Sequence, residues 1–272
     1  MAGAMQSADI SFDRAETCHS IEPRDHVVQL YRPGTDQLFR NVGRYLSEGL
    51  RCGETCIVIA TRGHVSGFLE QLTIGGLDPL KLIQQDQLVI MDAHETLAEF
   101  MMEGQPSKPL FEQSVGRAVR GLRARRSTTS LRAYGEMVGV LWTNAQYSAA
   151  MALEDMWNDL LHETTFSLFC SYPIDVFEKS FHRCDVDAVM CSHTHMMSNG
   201  KNVALETAVS RAIDETSELG ASDWKERFQT AEHPSWAQSL GGEALILWIR
   251  ENHSQSADDI LRRARAYYEG AQ

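Results

Sequence analysis

The chain has 272 residues, 43% hydrophobic and 23% charged, proportions of a soluble globular protein that exclude disordered, collagen-like and low-complexity classes. Lys and Arg (25) against Asp and Glu (37) leave a formal charge of −12, which argues against a protein that coats nucleic acid. The length suits one large domain with an appendage, or two small ones.

Periods of two and 3.6 alternate along the first 180 residues or so. His26–Tyr31 reads as a short strand closed by Pro33-Gly34, followed by a helix to about Leu50 with Leu38, Val42, Tyr45, Leu46 and Leu50 on one face. Arg51-Cys52-Gly53 breaks that helix, and Thr55–Ala60 is an apolar, β-branched run of the kind covered on both faces. Next come a helix near His64–Leu72, a strand Gln87–Met91 and a helix near Glu95–Met102. A loop around Gly104–Pro109 leads into a helix from about Leu110 to Ala124. The strand Leu131–Glu136, the helix Ala145–Leu161 and the strand Phe166–Cys170, which runs out at Tyr172-Pro173, complete the alternation. Such an order predicts an α/β fold with a doubly wound, mainly parallel sheet.

Beyond Cys184 the pattern changes. Asp185–Asn202 reads as irregular, Val203–Leu219 as a helix stopped by Gly220, and Ala221–Gly242 as a polar stretch containing Pro234. Glu243–Asn252 and Ser256–Tyr268 read as two helices, with Ser256 as an N-terminal cap. The expected organisation is a flexible segment over 1–20, an α/β domain over 21–197 and a helical tail over 198–272. The tail could dock on the sheet, pair with a second copy of the chain, or receive a partner.

Six cysteines are too sparse for a disulfide scaffold, and Cys52, Cys56 and Cys170 lie in or beside apolar segments, as reduced thiols do. Met1–Asp25 lacks the charged-then-apolar order of a secretory signal. No apolar run approaches the roughly 20 residues that span a bilayer. A cytoplasmic protein is expected.

In an open parallel sheet, ligands lie beyond the carboxyl ends of the strands. Thr61, Arg62 and His64 follow the second strand, Asp92 and His94 the third, and Tyr134 and Glu136 close the fourth. These seven are the candidate ligand-binding residues. The turn Thr61–His64 has the layout of a phosphate loop but lacks the lysine and the glycine-rich cradle that ATP hydrolysis needs. Asp92 and Glu136 could work as an acid–base pair if their strands are adjacent. His182, Cys184, Cys191, His193 and His195 form a weak metal-like cluster, because no C-x-x-C pair is present and its second half is compressed. Arg117, Arg120, Arg123, Arg125 and Arg126 read as a solvated helix face, with no aromatic residues for base stacking.

Several segments, in order, resemble the MEDS domain, the sensory domain of methanogen and methylotroph regulators. They are His26–Tyr31, Leu46–Leu50, Gly53-Glu54, Ile59–His64, Met91–Leu97 and Phe100-Met101 with Gly104–Pro106. Arg132–Val138 with Leu141-Trp142, Leu153–Asn158 and Phe166–Pro173 follow. The resemblance covers about residues 20–197. It implies a ligand-sensing module similar in fold to RecA- and KaiC-like ATPases without their nucleotide-binding signature. It further implies recognition of small hydrocarbon derivatives and signalling through a histidine kinase or a transcription regulator. The tail does not read as a helix-turn-helix, so direct nucleic-acid binding is not expected. The resulting expectation is a non-enzymatic sensor with an unidentified small-molecule ligand and no cofactor. A nucleotide-binding protein and a ligand-free scaffold are the alternatives.

Overall fold

Five apolar strands build the centre of the molecule: β1 (His26–Leu30), β2 (Thr55–Ala60), β3 (Leu88–Asp92), β6 (Leu131–Gly135) and β7 (Ser167–Tyr172). A two-residue edge strand, β8 (His195–Met196), joins them, and a small antiparallel hairpin, β4 (Met101–Met102) with β5 (Gln105–Pro106), stands apart. The sheet order is β3-β2-β6-β7-β1-β8, parallel throughout. The computed structural model describes residues 21–125, 130–179, 181–197, 202–216, 223–231 and 241–270. The expected N-terminal segment, Arg126, Gly220 and Pro234 lie outside the described residues.

The strand order explains the apolar runs. Along β2, Cys56, Val58 and Ala60 pack on one face with α1 (Gln37–Arg51), α2 (Arg62–Ile74) and α3 (Pro79–Gln84). Ile57 and Ile59 pack on the other face, with α4 (Ala93–Phe100), α5 (Lys108–Phe111), α6 (Arg117–Arg125), α7 (Met137–Thr143) and α8 (Tyr147–Glu163). Both faces are covered, so alternation has no polar side to show. Links that run one way along the sheet lie on the first face and those that run back lie on the second. Right-handed crossovers require that division.

The structure differs from the expected elements at defined places. α7 was not expected, because Met137–Leu141 is apolar all round, the signature of a helix with no solvent face. α3 is short and starts with Pro79 at its first turn. The expected helix over Leu110–Ala124 is α5 and α6 joined through a π-helical turn at Glu112–Gly116. Asp185–Asn202 is not irregular: α9 (Arg183–Cys191) occupies its first part, with Val186, Val189 and Met190 buried at helical spacing. The polar stretch after Gly220 contains α11 (Asp223–Thr230), held by buried Trp224.

The remaining helices are α10 (Asn202–Thr216), α12 (Gly241–Asn252) and α13 (Ala257–Gly270). Ser256 precedes α13, but its hydroxyl donates to the His253 carbonyl at 3.4 Å rather than accepting from the helix. The tail docks on the domain. Val209, Ile246, Ile249 and Ile260 belong to the same apolar core as Leu168 and Trp157.

Candidate functional site

Between β2 and β6 the direction of winding reverses: β2 leads into α2 on one face, and β6 leads into α7 on the other. Chain segments diverging from neighbouring strands leave a crevice at the carboxyl edge. Glu136, 4% exposed, closes it. Its carboxylate accepts from the Thr61 backbone N–H at 2.8 Å and from the Thr61 hydroxyl at 3.2 Å. Nδ1 of His64 lies 2.7 Å from Glu136 Oε1. The His64 ring meets Tyr31 and Phe39 edge-on, with centroids 5.9 and 5.5 Å apart. Burial first, and then the Glu136 carboxylate, push the Tyr31 phenol above its usual range. Tyr134 lies fully buried against Phe68 and Phe169, its hydroxyl 2.7 Å from Ser171 Oγ. Burial raises that phenol as well.

Thr61, His64 and Glu136 therefore form one knot, with Thr61 hydrogen-bonded to Glu136, the His64 ring beside them and Tyr134 beneath. Arg62 turns the other way. It is 84% exposed and reaches Asp92 Oδ2 at 3.2 Å and Glu95 Oε1 at 2.9 Å. Asp92 accepts from the backbone N–H groups of His94 and Glu95 at 2.9 and 3.0 Å, capping α4. His94 is exposed and enters this group through its backbone. The expected acid–base pair of Asp92 and Glu136 does not form, because β2 stands between β3 and β6.

The open volume lies further along the same edge. A cavity of about 380 Å³ is bounded by the β1–α1 turn (Arg32, Thr35, Asp36), by Ile174–Phe177 after β7 and by Met196-Met197. Leu205 of α10, Glu243 of α12 and Tyr268 of α13 close it from the tail. Tyr31 is common to the cavity and to the Glu136 knot. None of the seven expected residues lines the cavity. The β1–α1 turn, with Arg32 directly before Pro33-Gly34, was its signal in the sequence.

Glu243 is the unusual group in this cavity. It is 6% exposed, its Oε2 has no hydrogen-bond partner among the described residues, and burial raises its pKa to about 7. The tail is also tied to the loops around it. Arg265 bonds Asp175 and Glu178, each at 3.0 Å, and Arg250 donates to the carbonyls of Phe177 and Glu178 at 3.0 and 2.7 Å. Arg32 pairs with Glu269.

The expected metal cluster is divided by α9. Cys191, at the end of that helix, is exposed, while His193 turns inward with a side chain 1% exposed. The side chains of Cys184 and His195 lie outside the described ones. His193 instead meets His26, Glu154 and Cys170, three residues that the sequence spacing does not connect. Of the arginine cluster, Arg120 is engaged by Glu112 and Glu163.

The fold is an α/β domain with a doubly wound parallel sheet and a tail-closed cavity at its carboxyl edge. Residues 25–194 match the methanogen/methylotroph, DcmR sensory domain, and the chain belongs to that family of sensory domains. Among curated proteins, none matches the chain. No helix among the described residues is long and apolar enough to cross a membrane.

Proposed function

We propose that the protein senses a small molecule in the cavity at the carboxyl edge of β1, β7 and β8 and passes its occupancy to a partner protein through the tail. The observation that carries this reading is a buried carboxyl group, Glu243, with an oxygen unpartnered among the described residues, inside a cavity whose other walls include Leu30, Ile174, Phe177 and Met196. Apolar walls on one side, with Arg32, Asp36 and Asp175 at the rim and Glu243 within, suit a small hydrocarbon derivative bearing a hydroxyl or an amine. Glu243 would accept a hydrogen bond from such a group, and Tyr31 would bound the inner side.

Signalling needs a ligand that favours one arrangement over another. The loops at Arg32 and at Asp175–Phe177 line the cavity and, with Glu178, are bonded to α12 and α13, so a shift in them reaches the tail directly. The Thr61–His64–Glu136 knot would then serve as a rigid wall behind Tyr31. The role is recognition without turnover, and the receiver is a histidine kinase or a transcription regulator.

Native mass spectrometry of the full chain, as purified from cells, tests the reading. A retained small molecule, or a rise in Tm with short alcohols or methylated amines, is the expected result. Val176→Trp, which fills the cavity, should abolish that rise, whereas Arg62→Ala should leave it intact. Loss with Arg62→Ala and retention with Val176→Trp would return the ligand to the rim beside Arg62 and Asp92. Phosphate release from a nucleotide by the pure protein would overturn the sensor reading.

A further inference from the structure

We propose that His26, Glu154, Cys170 and His193 form a binding site for a tetrahedral divalent metal ion of the zinc class. The four residues come from β1, α8, β7 and the segment after α9, and all four side chains are buried. Val28 pairs with Cys170 in the sheet, which puts His26 and Cys170 on the same face. Their ligand atoms, with one carboxylate oxygen of Glu154, lie within 4.8 Å of one another.

The hydrogen bonds around the cluster decide where the imidazole protons sit. Asn158 donates its amide N–H to the Ser192 carbonyl at 3.0 Å, so its Oδ1 faces His26 Nδ1, 2.8 Å away. An amide oxygen only accepts, so Nδ1 of His26 carries the hydrogen. Nδ1 of His193 lies 2.6 Å from the Val189 carbonyl and donates likewise. A ring that is neutral with its hydrogen on Nδ1 presents a bare Nε2 lone pair to the interior. Both Nε2 atoms stand 3.3 Å from oxygens of Glu154, and His26 Nε2 is also 3.3 Å from Cys170 Sγ. His193 Nε2 has no hydrogen-bond partner among the described residues. Lone pairs aimed at a carboxylate repel it unless a cation lies between them.

The spacing fits such a cation. Tetrahedral zinc with bonds of about 2.0–2.3 Å separates its N and O ligands by about 3.3 Å and places sulfur about 3.6 Å from either. The observed separations are 3.3 Å from His26 Nε2 to Glu154 Oε2, 3.3 Å from His193 Nε2 to the other oxygen, Oε1, 3.3 Å from His26 Nε2 to Cys170 Sγ and 3.8 Å from Sγ to Oε2, so small shifts of the carboxylate and the thiol complete a tetrahedron. Charge fits too. A dication, one carboxylate, one thiolate and two neutral imidazoles sum to zero, the arrangement least costly to bury. On binding, the Cys170 S–H bond breaks, a metal–sulfur bond forms and the proton leaves to solvent. Tyr172 donates its hydroxyl to Glu154 Oε1 at 2.6 Å, and with Asn158 and the Val189 carbonyl it completes the outer layer that orients metal ligands. With four protein ligands the site is closed, which makes its role structural. It would pin His193, and so the start of β8 and the Met196-Met197 wall, to the sheet, whether or not the cavity takes a ligand.

The full chain, produced with zinc in the medium, should carry about one metal ion per molecule by inductively coupled plasma mass spectrometry. Stripping with a chelator under denaturing conditions and refolding without zinc should lower Tm, and zinc should restore it. Cobalt in its place should show a thiolate charge-transfer band together with tetrahedral visible bands. Cys170→Ser should lose the first and His193→Ala should weaken metal retention. Should those variants fail to fold, the strip-and-refold measurement on the unaltered chain decides. Protein that is folded, free of stoichiometric metal and unchanged in Tm by zinc or chelator would overturn the proposal, leaving protons on the histidines as the bridging charge.

Discussion

Glu136 and Glu243 are both buried carboxyl groups at the carboxyl edge of the sheet, and their surroundings are opposite. Glu136 has a backbone N–H, a hydroxyl and an imidazole around it, whereas Glu243 keeps an oxygen without a partner among the described residues. Burial raises the Glu243 pKa from 4.5 to about 7, so the folded state binds its proton more tightly than the unfolded chain does. The stability this group contributes is complete below the unfolded value and is lost as the pH rises through the folded one. Glu243→Gln should remove that slope. Urea unfolding should find the variant more stable than the parent by about 3 kcal/mol at mildly alkaline pH, with the gap closing toward about pH 4. A gap that does not change with pH would mean that Glu243 is solvated. Neither glutamate declares its role in the sequence. Glu136 stands out there by position at a strand end, and Glu243 only begins an ordinary-looking helix.

α7 shows how one element is placed by a single missing side chain. A Cβ on Gly139 would come within 2.6 Å of the Ser171 carbonyl oxygen and 3.3 Å of Pro173 Cδ. Alanine favours a helix over glycine by about 1 kcal/mol. Overpacking costs about 1–3 kcal/mol, and the obstacle here is backbone that cannot rotate away. Gly139→Ala should therefore destabilise the protein by roughly 1–2 kcal/mol, read from denaturant midpoints. A stabilised variant would show that α7 can move off β7. The elements legible in the sequence were those with one clear period, such as α1 with its buried stripe from Leu38 to Leu50 and β2 with its β-branched run. α7 was hidden because an all-apolar helix shows no face, and α9 because cysteines, histidines and acids mask Val186, Val189 and Met190.

At the scale of the molecule, the tail is part of the core. Val209, Ile246, Ile249, Ile260 and Leu261 share one apolar cluster with Trp157 and Leu168, and Arg183, Arg250 and Arg265 bond across the junction. Tryptophan fluorescence and far-UV circular dichroism should accordingly report a single, coincident unfolding transition. A chain ended at Met197 should bind a hydrophobic dye and unfold at a lower denaturant concentration. A separate, earlier transition for the tail in the full chain would contradict that continuity.

Periodicity and turn residues determined the fold class and the parallel sheet, and short segments in linear order pointed to the family, because these depend on local pattern and sequence order alone. Which residues meet was decided by the tertiary structure. The strand order β3-β2-β6-β7-β1-β8 sets Asp92 apart from Glu136, brings the tail over the β1–α1 turn, and gathers His26, Glu154, Cys170 and His193 from four elements. No spacing along the chain encodes those meetings. They follow from crossover connections that make distant strands neighbours and near ones strangers.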